Sequence, residues 1–304
     1  MQADLARRLR GPAEVISDRS DGVVLGDDDV VVKAHGTDAS AHDLGARLAI
    51  AAHPLLRGIL LPPLPAPQEP LDGRIVTAWP RGATVDPEDP DAAPWEAAGR
   101  LLARLHRTPV GELPGPVPPM RGPAKVARAL ERLRAAAAAD CATATPVLQA
   151  AATLPAWVRG EAPPPPSHTL CHGDLHLGQL VRHPRPDGPW LLIDVDDLGL
   201  GDPAWDLARP AACYATGLLI PEDWSALLNA YQEAGGPAAG GPPGNLWPDA
   251  VDLPARALTV QLAALSLARA AHAQREPDDI ERDLVEGCVR IAAMPAGPGE
   301  RDTP

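Results

Sequence analysis

Residues 170–206 read LCHGDLHLGQLVRHPRPDGPWLLIDVDDLGLGDPAWD, the densest run of polar residues between strand-like segments in the chain. Within it, residues 180–183 (LVRH) and 190–193 (WLLI) are strand-like. The proline-rich stretch 184–189 that separates them is typical of a turn. We therefore expect these two runs to pair as an antiparallel hairpin.

The pairing register of this hairpin predicts a site for a hard cation. If Leu180 lies opposite Ile193, then Gln179 lies opposite Asp194, with an amide oxygen beside a carboxylate at the open end. Asp174, five residues before Gln179, brings a further carboxylate. Because Mg²⁺ binds a few protein oxygens and keeps waters or phosphate oxygens for the rest, two protein ligands are enough.

The polar run continues into a helix. Asp202-Pro203 is a favourable helix start, because aspartate caps the first turn and proline fits its first position. We expect that helix to continue from Trp205 and to carry Asp206 in its first turn.

The rest of the chain predicts an α+β fold. Strand-like segments cover residues 13–17, 22–26, 30–34 and 74–79, and a helix is expected over residues 39–52. Beyond residue 93 the pattern is helical. The expected helices cover residues 93–106, 124–139, 145–159, 205–216, 222–234, 253–273 and 280–294. A small antiparallel sheet therefore precedes a larger, mainly helical region.

Charge and composition exclude several classes of function. A net charge of −13 repels nucleic-acid backbones and anionic lipid, so we expect neither nucleic acid nor a membrane as partner. The first fifteen residues lack the apolar stretch of a signal peptide, so we expect a cytoplasmic protein. Lys33 and Lys125 are the only lysines, which suggests chemistry that arginine does not provide.

The polar run resembles two linked motifs of the aminoglycoside phosphotransferases and their kinase-like relatives, HGDxxxxN and IDxxxxxxGDPxxDLA. The matching residues are His172-Gly173-Asp174, Ile193-Asp194, Gly201-Asp202-Pro203 and Asp206-Leu207-Ala208. Gln179 stands where the first motif has asparagine. Upstream, residues 30–33 (VVVK) are similar to the family's lysine-bearing strand, and residues 79–82 (WPRG) to its hinge.

This resemblance implies a two-lobed, protein-kinase-like fold. Residues 1–79 would form the nucleotide-binding lobe, and residues 80–304 the catalytic and substrate-binding lobe. Lys33 would neutralise ATP phosphates, while Ala78 and Trp79 would contact the nucleotide near the hinge. The helix glutamate that usually pairs with the lysine is missing, and Asp43 is the nearest substitute by position. No GxGxxG loop covers the phosphates, where the turn at 21–22 is the one available.

The resemblance also implies the reaction. Asp174 would accept or orient the proton of a substrate hydroxyl, and Gln179 and Asp194 would hold Mg²⁺ across the phosphates of ATP. Asp206 would tie the catalytic loop to the following helix. The acceptor would be a small molecule, and the acidic net charge favours an aminoglycoside-like or other cationic metabolite.

Three alternatives remain open at this point. The HLGQ tetrapeptide at residues 176–179 is similar to the loop of maltokinases and glucosamine kinases, which favours a sugar acceptor. The glutamine at 179 and the missing glycine-rich loop are compatible with a nucleotide-binding pseudokinase. His172, Asp174 and His176 offer mixed nitrogen and oxygen ligands for a metal-dependent hydrolase.

Overall fold

A computed structural model describes residues 1–19, 22–65, 70–136, 141–240 and 244–294. The helices are α1 (Gln2–Ala6), α2 (Ala41–Ala51), α3 (Trp95–His106), α4 (Gly122–Ala136), α5 (Cys141–Ala152), α6 (Ala204–Ala215), α7 (Pro221–Glu233), α8 (Asp249–His272) and α9 (Asp279–Ala293). The strands are β1 (Glu14–Arg19), β2 (Gly22–Gly26), β3 (Val30–His35), β4 (Val76–Pro80), β5 (Ala83–Thr84), β6 (Thr169–Cys171), β7 (Leu180–Arg182), β8 (Trp190–Leu192) and β9 (Gly199–Gly201).

The N-terminal region is a four-stranded antiparallel sheet in the order β1-β2-β3-β4, as the sequence predicts. Alternation along the strands gives the sheet two faces. One face packs with α1 in a small core that includes Leu5, Leu25, Val32 and Val76. The other face points toward the rest of the chain. Asp21, predicted to sit in the turn over the phosphates, lies outside the described residues.

The C-terminal region is mainly helical, and each helix expected from the sequence is present within a few residues of its predicted bounds. The largest difference is α5, which begins and ends earlier than predicted. Pro155 shortly follows its end, and proline lacks the amide hydrogen that would continue the helix. The end predicted at residue 139 for α4 lies outside the described residues.

Helix α8 is the one described helix that is long and apolar enough to span a membrane by length and composition. In the structure, 61% of its most apolar window is buried. Buried residues of α4, α5, α6 and α9 form one core cluster with it. Its apolar character is thus explained by its place in the protein interior.

The hairpin of β7 and β8 is present, but its predicted register is wrong by one residue. Leu180 pairs with Leu192, and not with Ile193. The N–H of Ile193 donates to the carbonyl of Gln179 at 2.9 Å. Asp194 follows with a φ of 62°, in the left-handed region. The chain therefore turns away from the strand after Ile193, one residue earlier than the predicted pairing requires.

Helix α2 packs into the core of the C-terminal region. Leu44 and Leu48 belong to the same buried cluster as Leu180, Leu192 and Leu198. The segment after α2 also joins the hairpin, because Leu192 donates to the carbonyl of residue 59 and the N–H of residue 61 donates to the carbonyl of Leu192. This shared core holds the four-stranded sheet next to residues 170–206.

Candidate active site

A cleft of about 1020 Å³ separates the four-stranded sheet from the hairpin. Apolar side chains of both regions line it, among them Val24, Val31, Leu61, Val181 and Ile193. Lys33, Gln179, Asp194 and Asp196 lie at its polar end. An apolar slot ending in charged groups suits a flat ring that carries an anionic tail.

The polar end of the cleft is organised around one ammonium. The Nζ of Lys33 lies 2.8 Å from an oxygen of Asp194 and 3.0 Å from one of Asp196. Burial alone would lower the pKa of Lys33, but these two carboxylates raise it above its ordinary value. Lys33 is therefore a fixed positive charge that two carboxylates share.

Behind Lys33, a short chain of polar side chains holds Asp196. The Nδ1 of His35 lies 3.2 Å from the Asp196 carboxylate, and its Nε2 lies 2.9 Å from the hydroxyl of Thr77. The indole N–H of Trp79 donates to the same hydroxyl at 3.1 Å. Burial would raise the pKa of Asp196, but His35 and Lys33 lower it, so the carboxylate is ionised at neutral pH.

Gln179 reaches the cleft from a single 3₁₀ turn before β7. The N–H of Gln179 donates to the carbonyl of His176 at 2.8 Å, and the residue is 8% exposed. Gln179 and Asp194 both line the cleft despite the register difference. The backbone hydrogen bond from Ile193 to Gln179 keeps the end of β8 next to the start of β7.

Asp174 is not among the residues that line the cleft, and it lies in a second charged cluster. Its carboxylate contacts Lys125 of α4 at 2.8 Å and Arg209 of α6 at 2.5 Å. Lys125 also contacts Asp197 at 2.8 Å, and Arg121 lies 3.4 Å from the same carboxylate. Burial would raise the pKa of Asp174, but Lys125 and Arg209 bring it well below its usual range.

Asp206, in the first turn of α6, holds the loop that carries Asp174 through hydrogen bonds. The Asp206 carboxylate accepts the N–H groups of His172 at 2.6 Å and Gly173 at 2.7 Å, and His106 lies 2.9 Å away. Gly173 has a φ of 85°, and a Cβ there would lie 2.5 Å from the carbonyl oxygen of Asp197. Only glycine lets the two loops approach this closely.

The two histidines of the loop have structural surroundings. His172 is fully buried, and its Nε2 donates to the carbonyl of Ile193 at 2.8 Å, which ties the loop to the residue before Asp194. His176 accepts the N–H of Gly178 at 3.1 Å through Nδ1. Burial, and then Arg209, lower the pKa of His176 to about 4, so its ring is neutral at pH 7.

Trp79 lines the cleft, whereas Ala78 does not. In β4, Ala78 packs with Val32 and Val76 on the opposite face of the sheet, and its carbonyl accepts the N–H of Leu64 at 2.8 Å. Successive strand residues point to opposite faces, which explains the difference. The residues of this segment that line the cleft are Trp79, Pro80, Arg81, Gly82 and Ala83.

Asp43 does not pair with Lys33, contrary to the interpretation from sequence. Among the described residues, the carboxylate partners of Lys33 are Asp194 and Asp196, both downstream of the hairpin. Asp43 lies in the first turn of α2, where its N–H donates to the hydroxyl of Ser40. A carboxylate from residue 196 thus occupies the position where a helix glutamate was expected.

Helix α2 is instead fixed by an arginine. Arg47 is 5% exposed, and its Nε donates to the carbonyl of Leu198 at 2.8 Å. Its NH2 group donates to the carbonyl of Pro119 at 3.2 Å. The helix is therefore attached to the loops that surround the polar run.

Sequence reasoning missed four charged residues of this site: Lys125, Asp196, Asp197 and Arg209. Asp196 and Asp197 could have been found, because they follow Asp194 within three residues and a third carboxylate is unusual in a strand-end loop. Lys125 was visible only as one of two lysines. Arg209 carried no signal beyond its place one turn after Asp206.

The donor set fits a hard divalent cation. Asp194 and Asp196 share a single ammonium, which leaves negative charge beside the amide oxygen of Gln179 in the same cleft. Carboxylate and amide oxygens are ligands that Mg²⁺ prefers. Among the described residues, the ligand atoms of His172, Asp174 and His176 do not form a group close enough together to hold one zinc ion.

The small sheet, the helical lobe and the charged cleft between them define a kinase-like phosphotransferase fold. The sequence profile of the Phosphotransferase enzyme family, also called APH, matches residues 25–247, and the chain belongs to this family. No curated protein matches the chain.

Solved structures share the fold over nearly the whole chain at low identity. An amicoumacin kinase in complex with AMP-PNP, Ca²⁺ and Ami is 16% identical, with a TM-score of 0.66, over 98% of this chain and 95% of that one. Choline kinase LicA from Streptococcus pneumoniae is 14% identical, with a TM-score of 0.58, over 96% and 95%. A thermostable mutant of aminoglycoside phosphotransferase APH(4)-Ia with AMP-PNP and hygromycin B is 13% identical, with a TM-score of 0.59, over 96% and 98%.

Proposed function

We propose that the protein transfers the γ-phosphoryl group of ATP to a hydroxyl group of a small molecule. The observation that carries this proposal is the cleft that gathers Lys33, Gln179 and Asp194, with Asp174 in the second charged cluster. In the proposal, residues 1–79 contribute the nucleotide lobe and residues 80–304 contribute the catalytic and acceptor-binding lobe. The protein acts in the cytoplasm, where ATP is available.

Each residue of the proposed site has a distinct task. Trp79 and the apolar side chains of the cleft hold the purine, and Lys33 reaches the phosphates as a point charge. Gln179 and Asp194, with Asp196 beside them, hold Mg²⁺. The metal supplies neutralisation of the phosphate charge. Asp43 and Ala78 are the two proposed cofactor-binding residues whose contacts, among the described residues, do not support the role.

Asp174 serves the acceptor. Its low pKa keeps it ionised, so it orients the hydroxyl by accepting its hydrogen bond. The hydroxyl oxygen forms a bond to the γ-phosphorus while the bond to the β,γ-bridging oxygen breaks. ADP leaves, and the hydroxyl proton passes to Asp174 as the new ester forms. Position and charge carry most of the rate acceleration in this chemistry.

Two acceptor classes compete. The net charge of −13 favours a cationic acceptor such as an aminoglycoside, and the structures of similar fold include a complex with hygromycin B and an amicoumacin kinase. A sugar is the second candidate. It is favoured by the basic groups that directly surround Asp174, which are Lys125 and Arg209.

The test is ADP release with Mg²⁺ and ATP over a panel of aminoglycosides, amino alcohols and neutral sugars. We expect turnover with at least one acceptor and a loss of about a thousandfold in Asp174→Asn, within the range for removing a general base. Asp283→Asn, on an exposed position of α9, is the matched control and should retain full turnover. ATP binding without turnover of any acceptor would instead identify a pseudokinase.

A further inference from the structure

Four polar side chains form a row along the side of the sheet that faces the cleft. Lys33 and His35 alternate on β3, and Thr77 and Trp79 alternate on β4, so all four share one face of the sheet. His35 is 2% exposed and Thr77 is 3% exposed. At its far end the row meets Asp196, which contacts both Lys33 and His35. Buried polar groups therefore connect the apolar part of the cleft with its charged end.

The hydrogen bonds along this row run in one direction. The indole N–H of Trp79 can only donate, so the hydroxyl oxygen of Thr77 accepts it, at 3.1 Å. The ionised carboxylate of Asp196 can only accept, so the Nδ1 of His35, 3.2 Å away, carries a proton. The Nε2 of His35 is then free to accept the hydroxyl hydrogen of Thr77, at 2.9 Å, and a neutral ring leaves no group of the row unpaired. Thr77 therefore selects the tautomer that presents an N–H to Asp196.

Among the described residues, every side-chain contact to Asp196 is made to one of its two oxygens. The Nζ of Lys33 and the Nδ1 of His35 both contact Oδ2, at 3.0 and 3.2 Å. Asp194 is arranged in the same way, because its Oδ1 contacts Lys33 at 2.8 Å and accepts the N–H of Asp196 at 3.4 Å. Within the described ranges, each carboxylate thus keeps one oxygen without a partner. Two such oxygens at one cleft are ligands for a divalent cation.

The orientation of the Asp196 carboxylate needs more than Lys33. The ammonium of Lys33 is shared with Asp194, and a point charge on a flexible stem does not fix how a carboxylate is rotated. The ring of His35 is a directional donor, and Thr77 holds it from the other side. Hydrogen bonds to an ionised carboxylate are among the stronger ones in proteins. His35 therefore decides which oxygen of Asp196 faces the cleft.

We propose that His35 is a positioning residue, which holds the carboxylate of Asp196 so that its free oxygen is available to the divalent cation bound with the nucleotide. Thr77 supports this role by fixing the ring of His35. The proposal rests on the proposed function, because it requires a nucleotide and its cation in the cleft. It adds one residue of β3 and one of β4 to the groups that prepare the cation site.

The test measures cation binding and not turnover. Electron paramagnetic resonance follows the binding of Mn²⁺, as a spectroscopic substitute for Mg²⁺, in the presence of a non-hydrolysable ATP analogue. Binding of the analogue alone is measured separately in EDTA. The amide nitrogen of asparagine lies near the place of the histidine Nδ1, and that of glutamine lies near the place of Nε2.

The two amide variants of His35 should therefore differ. We expect His35→Gln to weaken Mn²⁺ binding about tenfold, because a hydrogen bond to a charged group is lost, while the analogue alone binds within about twofold of wild type. His35→Asn keeps a donor toward Asp196 and should bind Mn²⁺ within about threefold of wild type. His42→Gln, the same change on an exposed position of α2, is the matched control and should leave Mn²⁺ binding unchanged.

Three results overturn the assignment of His35. The first is unchanged Mn²⁺ binding in His35→Gln. The second is an equal loss of Mn²⁺ binding in His35→Gln and His35→Asn. The third is an equal loss of the analogue without cation, which a merely structural role would produce.

Thr77→Val tests the same row if His35→Gln does not fold. This variant replaces the hydroxyl by a methyl group of similar size, so the ring of His35 loses the partner that fixes it. Mn²⁺ binding with the analogue should weaken severalfold, and Thr77→Ser should restore it. Unchanged Mn²⁺ binding in folded Thr77→Val overturns the proposal that the row positions Asp196.

Failure of this proposal and failure of the proposed function give different results. Wild-type protein that binds neither the analogue nor Mn²⁺ would remove the phosphotransferase function. Wild-type protein that binds both, with His35 variants of unchanged Mn²⁺ affinity, would overturn only the role of His35.

Discussion

The two charged clusters of the candidate site differ in which central group is shared. In the cleft between the sheet and the hairpin, two carboxylates share the ammonium of Lys33. In the second cluster, the single carboxylate of Asp174 is shared by two cations. Under the proposed function, the excess carboxylate of the first cluster would face a metal, and the carboxylate of Asp174 would face the acceptor.

The largest effect is expected for the metal-facing carboxylate of the first cluster. Asp194→Ala should lower kcat about a thousandfold, because the phosphate charge loses its metal-holding oxygen, and electrostatic groups of this kind carry most of the barrier reduction. Lys33 keeps Asp196 as a partner, so the variant should fold. The matched variant Asp197→Ala, from the second cluster, should lose only about tenfold by the same reasoning. Equal losses of kcat for the two variants in steady-state assays would contradict the prediction that the first cluster matters more for the reaction.

The second cluster should control the pH dependence of kcat/KM. Lys125→Met should lower kcat/KM about tenfold at pH 7. It should also move the acid limb of the profile to higher pH. Burial raises the pKa of Asp174 and the two cations lower it, so losing one cation raises the pKa of the required carboxylate.

Lys125→Arg is the control for that experiment, because it retains the charge beside Asp174 and should leave the acid limb in place. An acid limb that does not move in Lys125→Met would show that the ammonium does not control Asp174. The measurement is kcat/KM for the acceptor between pH 4 and pH 8, at saturating ATP, where an acid limb should appear in Lys125→Met and not in the wild type or Lys125→Arg.

The smallest effect is expected for Asp43. Asp43→Asn should change KM for ATP less than about twofold, because exposed or half-exposed charges without a close partner contribute little. Lys33 keeps both carboxylates in this variant. A tenfold rise in KM would mean that Asp43 replaces one of them as a partner of Lys33 when the nucleotide binds. Asp43 would then have to be counted in the first cluster.

The sequence predicted the elements around the site well, since each depends on local patterns. The alternation of β1 to β4 and the helical periodicity after residue 93 are properties of neighbouring residues. The hairpin register was missed by one residue, because a shift of one leaves both apolar runs intact. The positive φ of Asp194, which decides the exit from the strand, has no signature beyond aspartate's tolerance of that region.

The composition of the second cluster could not be read from the sequence. Lys125 and Arg209 come from α4 and α6, and they meet Asp174 only through the packing of those helices. The assignment of Ala78 stays a prediction, and the cleft lining does not support it, because the alternation that places Trp79 in the cleft also places its neighbour on the other face. Asp43 was expected from the resemblance alone, and a carboxylate near in space, at residue 196, takes that place.

The attachment of α2 through Arg47 has a consequence for how the chain can be divided. The leucines of this helix are covered by residues more than a hundred positions downstream, and its arginine is satisfied by their carbonyls. If the chain were divided between residues 79 and 80, the first fragment would expose the apolar side chains of α2 to solvent. The second fragment would have a cavity in its core where α2 packs. The smallest portion able to fold therefore spans both sides of the hinge.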